Sequence, residues 1–229
     1  SRVLGKWRRF WGQIPRQLLS REEQIGLFAE LWFLNTWLSP AIGASAAVSR
    51  WRGPFGTRHD FEWPGISIEV KATSATRGRV HRINGADQLL PPEAGRLLLF
   101  SLVVREEAGA TNSLVVVINA VAALLEPDAD AISRFESSLA QAGYSPAHAE
   151  EYARLRFRVV SESVFQVTDE FPRIIPGSFV SGVPSGVEHL DYDINLSGFD
   201  RLVVAHRPSD SSWTALCAVL AVSAPSSSV

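Results

Sequence analysis

"HDFEWPGISIEVKATS", residues 59–74, is the stretch that predicts the core of the fold. The "WPG" within it is a turn, because proline and glycine each supply turn geometry. The "ISIEVKA" that follows (66–72) alternates apolar and polar residues, which is typical of a β-strand. Glu69 and Lys71 therefore share one face of that strand, roughly 7 Å apart. An antiparallel hairpin across the turn places Asp60 opposite Glu69 or the residue before it, so that two carboxylates and one ammonium group meet.

Lys71 is one of only two lysines in the chain, and the remaining 20 of its 22 Lys and Arg residues are arginines. Two carboxylates held close together repel each other unless a cation lies between them. Oxygen ligands favour a hard ion such as Mg²⁺, with Mn²⁺ as an alternative. A lysine beside that ion can orient or deprotonate an attacking water, or stabilise charge that develops at phosphorus, whereas arginine holds its proton too tightly to act as a base. The alternative is a salt bridge between Glu69 and Lys71 on an edge strand, without a catalytic role.

The segment before this hairpin predicts a helix over about residues 21–38. Ser20 and Glu23 have the spacing of a capping box. Apolar residues recur at helical spacing, namely Leu27, Phe28, Leu31, Leu34 and Leu38. Glu30 projects from this apolar face, where a carboxylate is costly to bury without a partner, and Gly26 removes a side chain one turn above it. Glu30 is therefore predicted to join the charged groups of the hairpin.

The remaining elements are predicted more coarsely. In the first half we expect short strands at about 46–51 and 57–62, a strand at "GRVHRI" (78–83), a helix start at "NGADQLL" (84–90) and a strand buried on both faces at "RLLLFSLVV" (96–104). "SLVVVINAVAALL" (113–125) fits either a strand or a helix. After Pro127 we expect helices at "DADAISRFESSLAQAGY" (128–144) and "SPAHAEEYARL" (145–155), strands in "RLRFRVVSESVFQVT" (154–168) and a buried strand at "WTALCAVLAV" (213–222).

Composition indicates a globular chain, organised as one large domain or as a core with a smaller appendage. Of the 229 residues, 46% are hydrophobic and 20% are charged, which is typical of folded proteins. The single cysteine, Cys217, excludes an internal disulfide framework and a cysteine-based zinc site, and it favours a reducing, cytoplasmic setting. The N-terminal segment lacks the continuous apolar run of a signal peptide, and no stretch is long enough to span a bilayer, so no membrane association is expected.

Charge is distributed unevenly along the chain. Residues 1–82 contain 13 Lys and Arg against 6 Asp and Glu, a net of +7, whereas residues 83–229 contain 9 against 18, a net of −9. The basic half predicts an anionic partner, and a dipolar surface without a ligand is the alternative. Other catalytic motifs are missing: "GVPSG" (182–186) lacks the spacing of a nucleophile elbow, "GPFG" (53–56) lacks the lysine and the length of a phosphate loop, and no histidine pair has zinc spacing.

Together, "GLFAELWFL" (26–34), "DFEWPGISIEVKATS" (60–74) and "RVHRINGADQL" (79–89) resemble the PD-(D/E)xK nuclease superfamily, which has the restriction-endonuclease-like fold. Within it, the sequence is similar to a bacterial family whose genes lie beside DNA-modification and phage-defence genes. The resemblance implies an α/β fold. Its core, over residues 1–125, would consist of a helix, a mixed sheet with the catalytic hairpin, a second helix and a strand. A mixed α+β region over residues 126–229 would serve specificity or assembly.

The resemblance also implies roles for the residues that match its motifs. Asp60 and Glu69 would be metal ligands, Lys71 the catalytic lysine, and Glu30 the helix glutamate that helps to hold metal or water. Gln88 matches a catalytic polar residue that some members place after the core strands, and a hydrogen bond at a helix start is the alternative. The metal would be Mg²⁺ or Mn²⁺.

Six arginines flank the predicted cluster and would contact phosphates, or else form a solvated basic face: Arg50, Arg52, Arg58, Arg77, Arg79 and Arg82. His59 stands where the name of the superfamily has a proline. His59 and His81 could touch phosphate or water near the site, with an ordinary surface position as the alternative. Trp51 and Trp63 fit either stacking on bases or packing in the core.

The resemblance therefore predicts a Mg²⁺-dependent endodeoxyribonuclease of a restriction or phage-defence system that hydrolyses phosphodiester bonds. DNA is the expected partner, other defence-system subunits are expected to dock on the acidic half, and a homodimer is compatible with this organisation. One alternative is a non-catalytic DNA-binding or scaffold subunit of a defence complex that keeps the nuclease-like fold. Another is a member of the superfamily that cuts RNA.

Overall fold

A computed structural model describes residues 17–206, 211 and 213 of the chain. Its helices in the described part are α1 (Arg21–Phe33), α2 (Ser39–Ile42), α3 (Ala44–Arg50), α4 (Leu114–Leu125), α5 (Ala129–Gln141) and α6 (Ala149–Tyr152). Its strands there are β1 (Phe61–Trp63), β2 (Ile66–Ser74), β3 (Val80–Asn84), β4 (Arg96–Glu106), β5 (Asn112–Ser113), β6 (Arg156–Val167), β7 (Asp191–Asn195) and β8 (Val203–Ala205).

The helix predicted before the hairpin is confirmed as α1. Its capping box is formed, since the Glu23 N–H donates to the Ser20 hydroxyl at 3.2 Å and the Ser20 N–H donates to the Glu23 carboxylate at 2.7 Å. After α1 the chain continues through a π-helical turn (Leu34–Leu38) directly into α2. The predicted helix over residues 21–38 therefore exists, but its last turn is wound more loosely than an α-helix.

One mixed sheet lies at the centre of the described part, with the strand order β1-β2-β4-β6-β5 and with β8 paired to β6. β2 and β4 run parallel, and the other pairs in this sheet are antiparallel. Residues 97–104 of β4 are all buried, because both faces of this central strand are covered. The strands predicted at 66–72 and 96–104 are thus confirmed.

The two faces of the sheet carry separate cores. On the first face, Leu98 and Phe100 of β4 pack with residues of α1, α4 and the π-helical turn. On the second face, Leu97 and its neighbours pack against β3 and β7, which form their own antiparallel pair. Glu69 and Lys71 stand beside Leu99 and Ser101 in the parallel register of β2 and β4, so they belong to the second face.

Two predicted elements are wrong. Residues 46–51 were predicted as a strand, but residues 44–50 form α3, because "ASAAVSR" is rich in alanine, the strongest helix former. The helix start predicted at 84–90 is a series of turns. Gly85 there has a φ of 113°, which glycine adopts readily and other residues rarely do. The Gln88 side chain accepts the backbone N–H of Asn84 at 2.9 Å and closes the turn.

The other predictions hold in outline. The ambiguous segment 113–125 is α4, whose first turn is capped by the Ser113 hydroxyl. The helix predicted at 128–144 is α5, and the one predicted at 145–155 is reduced to a 3₁₀ turn and the short α6. The strand predicted at 57–62 is present only from Phe61, as β1. The segment 154–168 forms one long strand, β6.

The predicted boundary after residue 125 lies between α4 and α5, and strands from both sides of it form one sheet, since β6 pairs with β4. The strand predicted at 213–222 lies outside the described residues, apart from Trp213, whose indole N–H donates to the Trp37 carbonyl at 3.2 Å. Among the helices of the described ranges, none has the length and apolar character needed to cross a membrane.

Candidate active site

One edge of β2 is open in the sense that, among the described strands, none pairs with it beside its charged residues. β1 begins at Phe61, opposite Ile68, so it does not reach the part of β2 from Glu69 onward. Asp60 covers this position instead, because its Oδ2 accepts the backbone N–H of Val70 at 2.7 Å. One further step of the register between β1 and β2 places Asp60 opposite Glu69, in agreement with the predicted hairpin.

Glu69 and Lys71 form an ion pair next to Asp60. The Lys71 Nζ lies 2.8 Å from the Glu69 Oε1, and only 14% of the lysine side chain and 3% of the glutamate side chain are exposed. Burial of two charges is costly unless both have further partners. The pair therefore lies in the interior of the site, and the further partners of both groups determine whether its burial stabilises the fold.

Glu30 reaches the same place from α1. Its Oε2 accepts the indole N–H of Trp51 at 2.6 Å. A Cβ placed on Gly53 would lie 2.6 Å from Glu30 Oε2 and 2.7 Å from Asp60 Oδ1. These two oxygens are thus no more than about 5.3 Å apart, the sum of both distances. Carboxylates from a helix and from the start of the hairpin therefore approach each other across a glycine that leaves the space open.

Burial shifts the pKa of each charged group in this cluster. It raises the pKa of Glu30 well above its usual range, and the charge of Asp60 adds to that shift. Burial also raises the pKa of Asp60, against the charge of Lys71. Burial and the charge of Asp60 raise the pKa of Glu69 to about 8. Burial alone would lower the pKa of Lys71, but the nearby carboxylates outweigh it and raise that pKa above its usual value.

Comparison with known families identifies the family of the chain. A family model described as "Putative PD-(D/E)XK family member, (DUF4420)" matches residues 1–197. The chain belongs to this family. Neither the curated proteins nor the solved structures gave a match. Membership in DUF4420, together with the mixed sheet and its flanking helices, confirms the predicted α/β fold of the restriction-endonuclease-like class. The match includes Glu30, Asp60, Glu69 and Lys71, and it extends through β7.

Nucleases of the PD-(D/E)XK type typically use divalent metals, and this DUF4420 chain brings together carboxylates of the chemical kind that such ions bind. Glu69 is buried and Glu30 and Asp60 are partly buried, and their carboxylates offer the oxygen ligands that hard cations prefer. Burial is the main cause of their raised pKa values, and the charge of Asp60 adds to the shift at Glu30 and at Glu69. Among residues 17–206, 211 and 213, no group of three or more His, Cys, Asp or Glu side chains stands ready to hold a metal ion. Glu69 instead binds the ammonium group of Lys71.

Gln88 and the two histidines have other surroundings in this DUF4420 structure. Gln88 closes the turn after β3, and within the described residues no hydrogen bond joins it to the carboxylates, so its catalytic role stays a prediction. His59 and His81 are buried rather than surface residues. Burial lowers the pKa of each histidine to about 4. The His81 Nε2 lies 2.7 Å from the Ser101 hydroxyl, beside Lys71 in the register of β2 and β4.

Of the six arginines predicted to contact phosphate, three form ion pairs and three do not, within the described residues. Three arginines of the β3 region are ion-paired with aspartates: Arg77 with Asp193 at 3.5 Å, Arg79 with Asp200 at 2.7 Å, and Arg82 with Asp191 at 3.2 Å and with Asp193 at 3.6 Å. The Arg50 guanidinium lies 6.0 Å from the centre of the Trp63 ring. Arg52 and Arg58 are exposed and form no ion pair within the described part of the chain.

Two residues of the site were not identified from the sequence. Gly53 lies in "GPFG", which was considered only as a phosphate loop, and nothing in its own neighbourhood points to Glu30 or Asp60. Trp51 was expected to stack on bases or to pack in the core; it is buried, and its indole N–H holds Glu30. Gly26, by contrast, is not needed to make room, because a Cβ added there meets no atom within 4 Å.

Proposed function

We propose that this DUF4420 protein is a Mg²⁺-dependent endodeoxyribonuclease, located in the cytoplasm, that hydrolyses DNA phosphodiester bonds in a restriction or phage-defence system. One observation carries the proposal: Glu30 and Asp60, from two separate segments, approach each other across Gly53 at the open edge of β2. The buried ion pair of Glu69 and Lys71 lies next to them on the same strand. A structural salt bridge would not need two further, partly buried carboxylates beside it, because their repulsion costs stability.

In this proposal the carboxylates of Glu30, Asp60 and Glu69 hold the metal. When bound, the ion supplies Lewis-acid polarisation of the phosphate ester. Lys71 keeps its proton near neutral pH, because the carboxylates raise the pKa of its ammonium group. Its role is therefore to orient the attacking water and to stabilise negative charge on the phosphate, and it acts as a compact point charge with three donors. Trp51 positions Glu30 through the indole hydrogen bond.

The substrate would be held through its phosphates. Arg52 and Arg58 are exposed, and the backbone N–H of Arg52 donates to the Asp60 carbonyl at 2.7 Å, so this arginine borders the cluster directly. Contacts between arginine and phosphate supply affinity that does not depend on base sequence. The proposal assigns the first phosphate contacts to these two side chains.

Cleavage of supercoiled plasmid in Mg²⁺ or Mn²⁺, against a chelator control, tests the proposal. Asp60→Asn should abolish nicking and linearisation, because it removes a metal ligand. Asp130→Asn changes the same kind of side chain at an exposed position of α5 and should cut like the wild type. Metal-independent cleavage, or equal rates for the Asp60→Asn variant and the wild type, would contradict the proposal. Cleavage of RNA but not of DNA would identify the RNA-cutting alternative.

A non-catalytic DNA-binding or scaffold subunit is the second candidate. The ion pairs favour it: Glu69 is bound to Lys71, and three arginines are bound to aspartates of the acidic half. Such a subunit would bind DNA. It would also bind other defence-system subunits through the acidic C-terminal half, or pair with a second copy of itself. DNA binding without cleavage of any plasmid or RNA, in the presence of either metal, would support this candidate over the nuclease.

A further inference from the structure

A cleft of about 880 Å³ opens beside the candidate active site. Its apolar wall consists of Trp63 from β1 and of Leu90, Pro91 and Pro92 from the segment between β3 and β4. The volume is within the range of pockets that take a small ligand. The catalytic roles proposed for the carboxylate cluster do not use this space.

The position of the cleft links it to the bond that would be cut. Ser67 contributes to the cleft and shares a face of β2 with Glu69, two residues away, at a distance of roughly 7 Å. His59, which also lines the cleft, directly precedes Asp60. A nucleic acid strand whose phosphate lies at Asp60 and Glu69 would therefore present a neighbouring nucleotide to the cleft.

His59 offers an unused hydrogen-bonding atom in the cleft wall. Only 3% of this residue is exposed. Its Nε2 is buried, and no described residue meets it in good hydrogen-bond geometry, although backbone groups of Gln88 and Leu90 lie close to the ring. Buried polar atoms are nearly always paired, because an unpaired one loses the hydrogen bonds that water gave it. A ligand in the cleft would supply the missing partner.

The charges of the cleft select the part of a nucleotide that can enter. Glu62 and Glu93 line it, and their carboxylates repel phosphate. Arg58 is exposed, and it offers the phosphate a contact outside the apolar part. The interior instead suits a flat uncharged ring whose edge carries hydrogen-bonding groups. Nucleobases have this chemistry: their faces pack on aromatic and apolar side chains, and their amino groups donate to carboxylates.

We infer that the cleft formed by His59, Glu62, Trp63, Ser67 and Leu90 binds one unpaired nucleobase next to the scissile phosphate. The inference rests on the proposed function, because it places the base relative to the phosphate held by the carboxylate cluster. The protein would therefore prefer DNA in which one base is free to leave the stack. The free energy needed to move a base out of the stack is smallest when the base is unpaired.

The test compares two short DNA duplexes, one fully paired and one with a single unpaired 2-aminopurine, bound to the full chain with Ca²⁺ in place of Mg²⁺. The wild type should bind the second duplex about 10-fold more tightly and quench its fluorescence, the effect of one stacked base. Leu90→Trp fills the cleft, and His59→Phe removes the ring nitrogen but keeps a flat ring. Both variants should lose the preference, whereas Leu124→Trp, at an exposed position of α4, should keep it.

The outcomes distinguish failure of base binding in the cleft from failure of the proposed nuclease function. Equal affinity of the wild type for both duplexes overturns the inference, and Mg²⁺-dependent cleavage of both would leave the proposed function intact. A preference that survives in Leu90→Trp and His59→Phe places the base elsewhere and also overturns it. If Leu90→Trp does not fold, as judged by its melting temperature, His59→Phe and the quenching in the wild type decide. Absence of both binding and cleavage overturns the inference and the proposed function together.

Discussion

At the scale of single residues, substitution of Lys71 tests whether the carboxylate cluster is catalytic. Lys71→Arg keeps the positive charge, so DNA affinity should stay close to that of the wild type. The guanidinium group is larger and planar, and its fixed fork cannot place a compact charge 2.8 Å from Glu69 and beside the phosphate at once. We expect metal-dependent cleavage to slow by about 100-fold or more, the usual effect of a lost acid–base or charge-stabilising group.

The measurement is the initial rate of plasmid cleavage for the wild type and Lys71→Arg, with the melting temperature as the control for folding. Equal rates would mean that Lys71 only neutralises Glu69, since arginine serves that purpose as well. A variant that neither cuts nor binds DNA would point to misfolding rather than to catalysis.

Gly53 is the residue that keeps two carboxylates together. In Gly53→Ala, the added Cβ would start 2.6 Å from Glu30 Oε2 and 2.7 Å from Asp60 Oδ1, so one or both carboxylates must move. We expect cleavage to fall by at least about 10-fold and stability to fall by about 1–3 kcal/mol, as for other overpacked sites. Gly26→Ala is the matched control, because its Cβ meets no atom within 4 Å and alanine favours the helix.

Cleavage rate and the free energy of unfolding in urea measure the effect of both glycine substitutions. Gly26→Ala should leave cleavage unchanged and raise stability by about 0.5–1 kcal/mol. Wild-type cleavage by Gly53→Ala would show that the separation of Glu30 and Asp60 does not matter for activity.

At the scale of elements, α1 and β2 bring carboxylates together in a partly buried cluster, and this burial makes the free energy of unfolding depend on pH. The pKa of Glu69 rises from 4.5 in the unfolded chain to about 8 in the folded one, so the folded state binds the proton more tightly. This contribution is present below pH 4.5 and is lost as the pH rises through 8. The pKa values of His59 and His81 fall from 6.5 to about 4, so their contribution is lost as the pH falls through that range.

The two effects oppose each other between pH 4.5 and 6.5, so the range from 6.5 to 8 isolates the carboxylates. Without metal, the free energy of unfolding should decrease across that range, and the decrease should be smaller in Glu69→Gln. Mg²⁺ should stabilise the wild type more at pH 8 than at pH 6.5, because a deprotonated cluster binds the ion better. Urea titrations at several pH values provide the measurement, and an equal slope in Glu69→Gln would contradict the explanation.

Sequence patterns predicted the elements that carry the site, because those elements have strong local signals. The alternation of β2, the apolar run of β4 and the capping box of α1 each depend on neighbouring residues alone. The strand predicted at 46–51 was wrong because a short alanine-rich segment has no clear hydrophobic period. The helix start predicted at 84–90 was wrong because the turn there depends on Gly85. Glu30, Asp60, Glu69 and Lys71 were predicted from spacing and resemblance. The contribution of Gly53 was not predicted, because it depends on the approach of Glu30 in α1 to Asp60 before β1.

At the scale of the whole molecule, the charge asymmetry of the sequence is partly cancelled in the fold. The basic half of the chain contains β3, and the acidic half contains β7, yet these strands pair with each other. Arg82 stands opposite Asp193 in their register and is bound to it and to Asp191. A net of +7 over residues 1–82 therefore overstates the positive charge that is free to attract phosphate. Among the described residues 17–82, Arg52 and Arg58 are exposed and form no ion pair, and both lie close in sequence to Asp60.

This difference predicts unequal roles for arginines that look alike in the sequence. Each phosphate contact contributes close to one unit to the slope of log affinity against log salt concentration. Arg52→Ala should lower that slope by about 1 unit, because Arg52 is exposed, unpaired in the described part of the chain and adjacent to Asp60. Arg82→Ala should change it much less, because its charge already neutralises aspartates. Titrations of one duplex at several salt concentrations measure both slopes, with Arg154→Ala on the exposed surface as the control. A larger loss for Arg82→Ala than for Arg52→Ala would mean that DNA displaces Asp191 and Asp193 and binds along β3 instead.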